Sequence, residues 1–258
     1  MGISVPQNRL SSDSLRSAVP DQISIIVPVF NEAGTVAAVI ERLLDIDLPA
    51  AREIIVVNDG SRDATRSVLD ALGQRPNLTI VHSDENRGKG HAVRLGIAHA
   101  RGTIVAIQDA DLELDPAQLA ELVMPLIQRE HAVVYGSRFL ADRSPASSVI
   151  YAANKFLTTL TNVLYGSALT DMETCYKVMR TDVARSLDLS ADRFDIEPEI
   201  TAKLLRNGHR IAELPVRFSP RSRAAGKKIG WKDGLIAIGT LLRYRLSRRP
   251  RTDGPGRR

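Results

Sequence analysis

The sequence predicts an α/β domain in which a mostly parallel, twisted sheet carries helices on both faces. Apolar runs of strand length alternate with helix-length segments from residue 22 to residue 138. That alternation is typical of parallel sheets covered on both sides. Polar clusters follow the apolar runs, which is where such sheets bind ligands. Hydrophobic residues make up 43% and aromatic residues 4% of the chain, which suits a core of aliphatic side chains.

Each predicted element follows from a local pattern. QISIIVPVF (22–30), EIIVVND (53–59), LTIVHSD (78–84), TIVAIQD (103–109) and AVVYGSR (132–138) have the length and apolar content of buried strands. Helices are predicted at 34–44, 63–72, 90–100 and 119–129; in the third of these, Ala92, Val93, Leu95 and Ile97 give the helical spacing. Asp115 with Pro116 is typical of a helix cap and stays outside the predicted site.

Length and composition limit the classes of protein. The 258 residues suit one domain, and the single cysteine, Cys175, excludes an internal disulfide and a cysteine-cluster zinc site. No run approaches the roughly 20 apolar residues of a spanning helix. The polar first residues contain no signal-peptide core. We therefore expect a cytoplasmic protein with a disordered arm (1–21), one main domain (22–232), an amphipathic helix (233–246) and a basic disordered tail (247–258).

The net charge of +5 is concentrated at the end of the chain. The last sixteen residues, 243–258, hold seven arginines and one acid, Asp253. Such a segment could meet nucleic acid or anionic lipid, or could simply be a solvated end.

Four polar clusters follow the first four strands. Parallel strands end at the same edge of a sheet, so we expect the clusters to converge there. Each cluster could also be a simple turn with no binding role, since Asn, Asp and Gly are common turn residues. The clusters are Asn31-Glu32, Asn58-Asp59-Gly60-Ser61, Asn86-Arg87-Gly88-Lys89-Gly90 and Asp109 with Asp111.

The acids after the fourth strand are either a solvated strand end or a metal site. In extended backbone Asp109, Asp111 and Glu113 would share one face, where like charges repel unless a cation holds them. Mg²⁺ or Mn²⁺ suits such a group, because the ion takes one or two protein carboxylates and completes its shell with water and substrate phosphate.

The other clusters also leave alternatives open. NRGKGHA lacks the spacing of a P-loop, but its glycines before a helix could approach an anion or could simply begin the helix. Asp59 could cap a helix or bind a ribose hydroxyl or a base edge. Glu32 poses the same choice.

Taken together, these segments resemble the family 2 inverting glycosyltransferases with the nucleotide-diphospho-sugar (GT-A) fold. Within that family the sequence is similar to polyprenyl- and dolichyl-phosphate mannose or glucose synthases. The resemblance covers about residues 22–246. The matching segments are IIVPVFNE (25–32), VVNDGSRDAT (56–65), NRGKGHAVRLG (86–96), QDADLE (108–113), GSR (136–138), DMETCYKV (171–178), FDIEPEI (194–200) and RAAGKKIGW (223–231).

The resemblance implies roles for individual residues. The donor nucleotide would contact Pro28, Phe30, Glu32, Val57, Asp59, Lys89, Asp109 and Ala110. Asp109, Asp111 and Glu113 would bind Mg²⁺ or Mn²⁺, with Glu113 standing where the family often has Gln. Acceptor or phosphate contacts would come from Arg138, Lys177, Arg223, Lys227 and Lys228, and the loop that holds the last three is one residue shorter than the family pattern.

The resemblance also implies a reaction, in which an acceptor oxygen displaces the nucleoside diphosphate from the anomeric carbon with inversion. A phosphate acceptor has a second pKa near 6, so no strong general base is required. Asp171 is the candidate carboxylate at the acceptor side, and with Asp111 and Arg138 it forms the predicted catalytic set. The alternative for Asp171 is a helix cap in TDMET. Glu197 and Glu199 could approach the site or begin a solvated helix.

Two amphipathic segments bear on the acceptor. Residues 149–166 and 233–246 could lie at a membrane interface or pack on the core, and the arginines after the second favour an anionic membrane surface. We therefore expect a peripheral enzyme on the inner membrane face that uses polyprenyl phosphate, with a separate membrane protein as a further partner.

Three other functions compete with this interpretation. A transferase of the same fold could use a soluble acceptor or a polysaccharide intermediate, and it would need a general base. A nucleotidyltransferase would begin with a glycine-rich loop carrying a basic residue, which IIVPVFNEAGT lacks. A nucleic-acid-binding module is disfavoured, because the positive charge lies mainly in the tail and no binding motif is present.

Overall fold

The computed structural model describes residues 20–141, 148–220 and 231–247. Within them a seven-stranded sheet has the order β3-β2-β1-β4-β6-β5-β7. Its strands are β1 Gln22–Val29, β2 Ala51–Asp59, β3 Leu78–Ser83, β4 Ile104–Ile107, β5 Val133–Ser137, β6 Lys177–Arg180 and β7 Ala212–Pro215. The predicted α/β class with a mostly parallel sheet is confirmed.

The described helices lie between these strands and after the last one. A short 3₁₀ turn, Pro116–Gln118, precedes α4, and Asp115 caps this turn by accepting from the amide of Ala117. The helices are α1 Val36–Asp45, α2 Thr65–Ala71, α3 Lys89–His99, α4 Leu119–Ile127, α5 Arg138–Ala141, α6 Ser148–Tyr165, α7 Thr181–Ser186, α8 Ile196–Arg206 and α9 Trp231–Leu246.

The strands up to β4 pair in parallel, whereas the second half of the sheet is mixed. β6 runs antiparallel to both β4 and β5, and β7 pairs in parallel with β5. The sequence patterns had indicated β1 to β5 but neither β6 nor β7. Both are only four residues long, which is too short for a clear period-two pattern.

Successive strand residues face opposite sides of the sheet and build two cores. Ile25 and Val27 of β1 belong to a core with α1 and α4, while Ile26 belongs to a second core with α3 and α8. This is why the central strands read as continuous apolar runs. Each fully buried aliphatic side chain contributes about 1.5–3 kcal/mol, so the two cores fix the strand ends that carry the polar loops.

Helices α6, α8 and α9 meet in a smaller third core, which includes Leu157 of α6, Ala202 of α8 and Leu241 of α9. α9 begins at Trp231, two residues before the predicted start. No helix among the described residues is long and apolar enough to cross a bilayer.

The predicted disordered arm and basic tail fall largely outside the description, at residues 1–19 and 248–258. Asp21, the last residue of the predicted arm, is bound to the fold. Its carboxylate lies 3.2 Å from Nη2 of Arg129 and 3.1 Å from Nη1 of Arg180.

Gly96 allows α3 to pack closely on β1. A Cβ at this position would overlap the side chain of Ile26, which is fully buried. Gly239 of α9 is also a helical glycine, but a Cβ there would meet nothing within 4 Å.

We therefore expect Gly96→Ala to lower the free energy of unfolding, because an overpacked core costs about 1–3 kcal/mol. The matched variant Gly239→Ala should raise it, by about 1 kcal/mol of helix propensity. Urea unfolding followed by circular dichroism measures both. Equal gains in the two variants would contradict the close packing of α3 on β1.

Candidate active site

The loops that follow the parallel strands interlock at one edge of the sheet. The amide of Asn31, after β1, donates to Oγ of Ser61 at 2.9 Å, and the amide of Arg62 returns a bond to Oδ1 of Asn31 at 2.8 Å. Asn31 has a positive φ of 53°, a conformation that Asn tolerates better than most residues. The predicted convergence of the polar clusters is confirmed.

Thr35 joins the loop after β1 to the loop after β4. Its hydroxyl oxygen lies 2.7 Å from the carbonyl oxygen of Ala110 and 3.0 Å from Oε2 of Glu32. The amide of Glu32 also donates to Oγ1 of Thr65 at the start of α2. Glu32 is thus held where three loops meet, and its contact with the donor stays a prediction.

Asp59 anchors the glycine-rich loop before α3. Its buried carboxylate accepts from the side chain of Asn86 at 2.7 Å and from the amide of Gly88 at 2.6 Å. The amide of Arg87 lies 3.2 Å from both carboxylate oxygens. Gly88 has a φ of 114°, which favours glycine. Asp59 therefore fixes this loop, and direct contact with a nucleoside stays a prediction.

Lys89, the first residue of α3, lies between two carboxylates. Its Nζ is 2.8 Å from Oδ1 of Asp109 and 2.9 Å from Oε1 of Glu197 at the start of α8. Burial alone would lower the pKa of Lys89, but the two carboxylates raise it well above its usual value. Conversely, burial would raise the pKa of Asp109, and Lys89 holds it below the usual value. The ammonium therefore stays charged and links two segments of the edge.

The acids after β4 lie in a turn. β4 ends at Ile107, and Leu112 has a φ of 61°, so the alternating extended backbone expected through Asp109, Asp111 and Glu113 is wrong. The turn is closed when Oδ1 of Asp111 accepts from the amide of Glu113 at 3.1 Å.

Gln108 and Tyr176 hold this turn in place through hydrogen bonds. Nε2 of Gln108 donates to the carbonyl of Asp109 at 3.0 Å, and its Oε1 accepts from the hydroxyl of Tyr176 at 2.6 Å. Sequence reasoning missed both roles. The polar Gln108 at the end of an apolar run was the available signal.

The carboxylates fit a divalent metal without forming a complete cage. The described residues contain no group of three or more His, Cys, Asp or Glu arranged to hold an ion. Asp109, Asp111 and Glu113 are all partly exposed on the turn, and Asp109 also pairs with Lys89. Oxygen donors of this kind suit Mg²⁺ or Mn²⁺, which need only one or two protein carboxylates when substrate phosphate completes the shell. Asp109, Asp111 and Glu113 therefore stay the predicted metal ligands.

Arg138 is held rigidly by Asp171. Nε and Nη2 of the guanidinium donate to the two carboxylate oxygens at 2.7 and 2.8 Å, and the backbone amide of Arg138 adds a third bond at 3.0 Å. Burial alone would lower the pKa of Arg138, and Asp171 raises it by more. Asp171 is completely buried, and it is bound to Arg138 rather than capping a helix. The pair presents a fixed guanidinium at the end of β5.

Burial contradicts three of the expected substrate contacts. Lys177 is fully buried, with Nζ 2.5 Å from Oε2 of Glu197 and bonded to the carbonyl of Met172 at 3.1 Å, so it is not placed to bind an acceptor phosphate. The side chain of Val57 lies in the second core. Ala110 lies in the first core, and its carbonyl accepts from Thr35. The side chains of Val57 and Ala110 therefore offer no surface to a donor.

The remaining predicted site residues lie at the end of β1, outside the described residues, or in α8. Pro28 and Phe30 are partly exposed at the end of β1, compatible with donor contact. Arg223, Lys227 and Lys228 lie at 221–230, outside the described residues. Glu197 and Glu199 are buried and paired, so a solvated helix start is wrong for both.

Glu173 is a functional candidate that sequence reasoning missed, although it lies within the matching segment DMETCYKV. Burial raises the pKa of its carboxyl; Lys177 lowers it and Glu197 raises it, with a result of about 7. Arg138 and Asp171 also act on this carboxyl, Arg138 lowering and Asp171 raising its pKa.

Comparison with known proteins gives the same picture. Residues 24–188 match the family described as Glycosyl transferase family 2. The chain is 28% identical over 243 residues to the glycosyltransferase AglD of Haloferax volcanii, which covers 89% of this chain and 38% of AglD. It is 28% identical over 214 residues to a dolichyl-phosphate beta-glucosyltransferase of Trichomonas vaginalis, covering 76% of this chain and 65% of that protein.

A third relative is the dodecaprenyl-phosphate galacturonate synthase of Rhizobium johnstonii, 28% identical over 216 residues, with 80% of this chain and 61% of that protein covered. The chain thus spans less than two thirds of the length of each of these three relatives.

Solved structures agree on the fold. Glucosyl-3-phosphoglycerate synthase from Mycobacterium tuberculosis, in complex with Mn²⁺, uridine diphosphate and phosphoglyceric acid, has a TM-score of 0.66 at 20% identity. The match covers 87% of this chain and 78% of that one. The same enzyme with Mg²⁺ and uridine diphosphate gives 0.67 at 21% identity, covering 87% and 79%. At these identities the likeness shows the fold alone.

The sheet order and these structural neighbours establish the GT-A fold. The family match runs from β1 through β6 and therefore includes the interlocked loops, the acidic turn and the Arg138–Asp171 pair. The chain belongs to glycosyl transferase family 2.

Proposed function

We propose that this enzyme transfers a hexose from a nucleotide-diphospho-sugar to a polyprenyl phosphate, with inversion and with the help of Mg²⁺ or Mn²⁺. The donor would be of the UDP-glucose or GDP-mannose type. The observation that carries the proposal is the Arg138 guanidinium, which Asp171 fixes and whose charge also lowers the pKa of Asp109 in the acidic turn. A planar, preorganised guanidinium suits a phosphate oxygen better than a hydroxyl. The names of the dolichyl- and dodecaprenyl-phosphate relatives support the same acceptor class.

The edge of the sheet divides into a donor side and an acceptor side. Pro28, Phe30 and Glu32, with the loop that Asp59 anchors, would receive the nucleotide. Asp111 and Glu113, assisted by Asp109, would hold the metal, which offsets the charge of the leaving diphosphate. Lys89 would stabilise the same diphosphate while it keeps the turn in place. Arg138 would bind the acceptor phosphate, and Arg223, Lys227 and Lys228 would supply further positive charge.

The chemistry needs no strong general base. An acceptor phosphate oxygen forms the new bond to the anomeric carbon while the bond to the diphosphate oxygen breaks on the opposite face. That phosphate is largely dianionic at neutral pH, so it attacks without losing a proton. Both oxygens of Asp171 are bound to Arg138. Asp171 is therefore better suited to positioning the guanidinium than to accepting a proton.

A lipid-linked acceptor is supported by the exposed faces of α6 and α9. Phe156 and Val163 of α6 are 58% and 77% exposed, and Leu235 and Leu246 of α9 are 60% and 81% exposed. The opposite sides of both helices pack in the third core, as the core-packing alternative expects. The exposed apolar sides are the ones that a membrane interface would cover. Exposed apolar residues next to Arg243 and Arg245 suit an anionic interface. We place the enzyme on the cytoplasmic membrane face, with a separate membrane protein as a further partner.

A soluble phosphorylated acceptor is the second candidate, because the fixed Arg138 would bind its phosphate equally well. A small hydroxyl nucleophile would additionally need a proton acceptor. The acceptor assay separates these two candidates.

The assay uses purified protein, Mn²⁺ or Mg²⁺, a panel of labelled UDP- and GDP-sugars and a short-chain prenyl phosphate. We expect label in the organic phase, its loss in chelator, and at least about a 100-fold decrease for Asp111→Asn, since the metal contributes several kcal/mol to stabilising the leaving group. Asp47→Asn, at an exposed acid of the α1–β2 connection, is the matched control and should retain activity. Label only on a soluble phosphorylated acceptor would contradict the lipid acceptor, and full activity in chelator would contradict the metal.

The exposed apolar side of α6 leads to a separate prediction. Val163→Asp should weaken partition onto anionic liposomes by about tenfold, because it places a charge where apolar surface would be buried. Met124→Ser, at an exposed apolar residue of α4, should leave partition unchanged. Co-sedimentation with vesicles of anionic and of neutral lipid measures both variants. Equal partition of Val163→Asp and the parent protein would show that α6 does not contact the membrane.

A further inference from the structure

Glu173 is a carboxyl group of the site that forms no ion pair with the described residues named below. Its nearest acidic neighbour in the chain, Asp171, pairs with Arg138, and the nearest lysine, Lys177, pairs with Glu197. Oε1 of Glu173 is shielded from solvent and meets no hydrogen-bond donor within the parts of the chain that the structure describes. A shielded carboxylate oxygen without a donor is costly, and a ligand or a proton would relieve that cost.

The charges around Glu173 come from four places. Arg138 lies at the end of β5, and Asp171 lies with Glu173 on the segment between α6 and β6. Lys177 belongs to β6 and Glu197 to α8. Two of these groups are acids and two are bases, and each base is already bound to an acid. Glu173 therefore has no cation of its own among these neighbours. Burial dominates, and it raises the pKa of Glu173 to about 7.

We propose that Glu173 binds the acceptor phosphate as a neutral carboxylic acid and donates its proton in a hydrogen bond to a phosphate oxygen beside Arg138. This inference rests on the proposed phosphate acceptor. It adds a specificity-determining contact to the acceptor side, in which Glu173 donates a hydrogen bond, whereas a general base would accept a proton. The proton stays on Glu173 throughout, and only the sugar changes partner when the phosphate oxygen attacks.

The charge of the acceptor explains why the acid must be neutral. An ionised Glu173 would repel a dianionic phosphate, whereas a neutral carboxyl offers it a donor. A bound dianion raises the pKa of Glu173 further, so binding and protonation favour each other. As pH rises above about 7, the free enzyme loses the proton that binding requires. Acceptor affinity should therefore fall at alkaline pH, although the acceptor itself is then fully dianionic.

Acceptor KM measured from about pH 6.5 to about pH 9 tests the proposal with a short-chain prenyl phosphate as the probe. In the parent enzyme KM should rise by about tenfold over the upper part of this range. Glu173→Gln keeps a neutral donor, so its KM should stay within about threefold of the parent value at neutral pH and should not rise with pH. Glu173→Ala removes the donor and should raise KM by about tenfold over the parent value near pH 6.5, with no further rise at alkaline pH because no carboxylate is left to ionise.

Glu130→Gln, at an exposed residue after α4, is the control for loss of one carboxylate and should follow the parent profile. A Glu173→Gln profile parallel to that of the parent enzyme would overturn the proposal. So would a loss of kcat by about 1,000-fold in Glu173→Gln at unchanged KM, because that result would identify a proton acceptor.

Infrared difference spectroscopy separates this inference from the proposed function. Adding the prenyl phosphate or inorganic phosphate to the whole protein near pH 8 should produce a protonated-carboxyl band that Glu173→Gln lacks. The band without any sugar transfer to prenyl phosphate would support the phosphate contact and overturn the lipid acceptor. Transfer without the band would overturn the role of Glu173 and leave the lipid acceptor intact.

Discussion

The chain of charges from Asp109 through Lys89 and Glu197 to Lys177 is the interaction on which the rest of the site depends. It is partly exposed at Asp109 and buried at Glu197 and Lys177. It joins the turn after β4, the start of α3, the start of α8 and β6. Removing one member of a buried pair costs about 3–5 kcal/mol, because the remaining charge stays in a medium of low polarity. The chain therefore fixes the acidic turn relative to the glycine-rich loop before any substrate arrives.

The same chain sets the charge balance of the site. In the acidic turn and the ion pairs around it, five carboxylates (Asp109, Asp111, Glu113, Asp171 and Glu197) stand against three basic groups (Lys89, Arg138 and Lys177) among the residues described. Glu32 and Asp59 add two more carboxylates to the site. A diphosphate and an acceptor phosphate would add several more negative charges. The proposed divalent cation and the further basic residues would offset this charge. A neutral Glu173 lessens the same imbalance, since an ionised one would add to it.

Local sequence predicted the first half of the fold well. Apolar runs and turn residues indicated β1 to β4, and parallel pairing then required their polar loops to converge. This reasoning places Glu32, Asp59, Asp109 and Asp111 at the edge of the sheet, whereas Arg138 is assigned to the site by the family resemblance alone. The motif residues carried the family assignment.

Burial was not predictable from the same patterns. Val57, Ala110 and Lys177 belong to the motifs, but their side chains point into the interior, and only tertiary packing decides this. The Arg138–Asp171 pair joins residues 33 positions apart, across a helix and a loop. The positive φ of Leu112 turned an expected strand extension into a turn, and Leu is an uncommon residue in that conformation.

The division of labour between Asp171 and Arg138 is tested most directly by the steady-state kinetics of Asp171→Asn with a prenyl phosphate acceptor, alongside a thermal melt that confirms folding. An Asn cannot complete the charged fork, so Arg138 loses its fixed position. We expect acceptor KM to rise by about tenfold or more, kcat to fall by less than about tenfold, and the pH profile to keep its shape. A fall in kcat of about 1,000-fold at unchanged KM in the folded variant would contradict a base-free transfer and make Asp171 the proton acceptor.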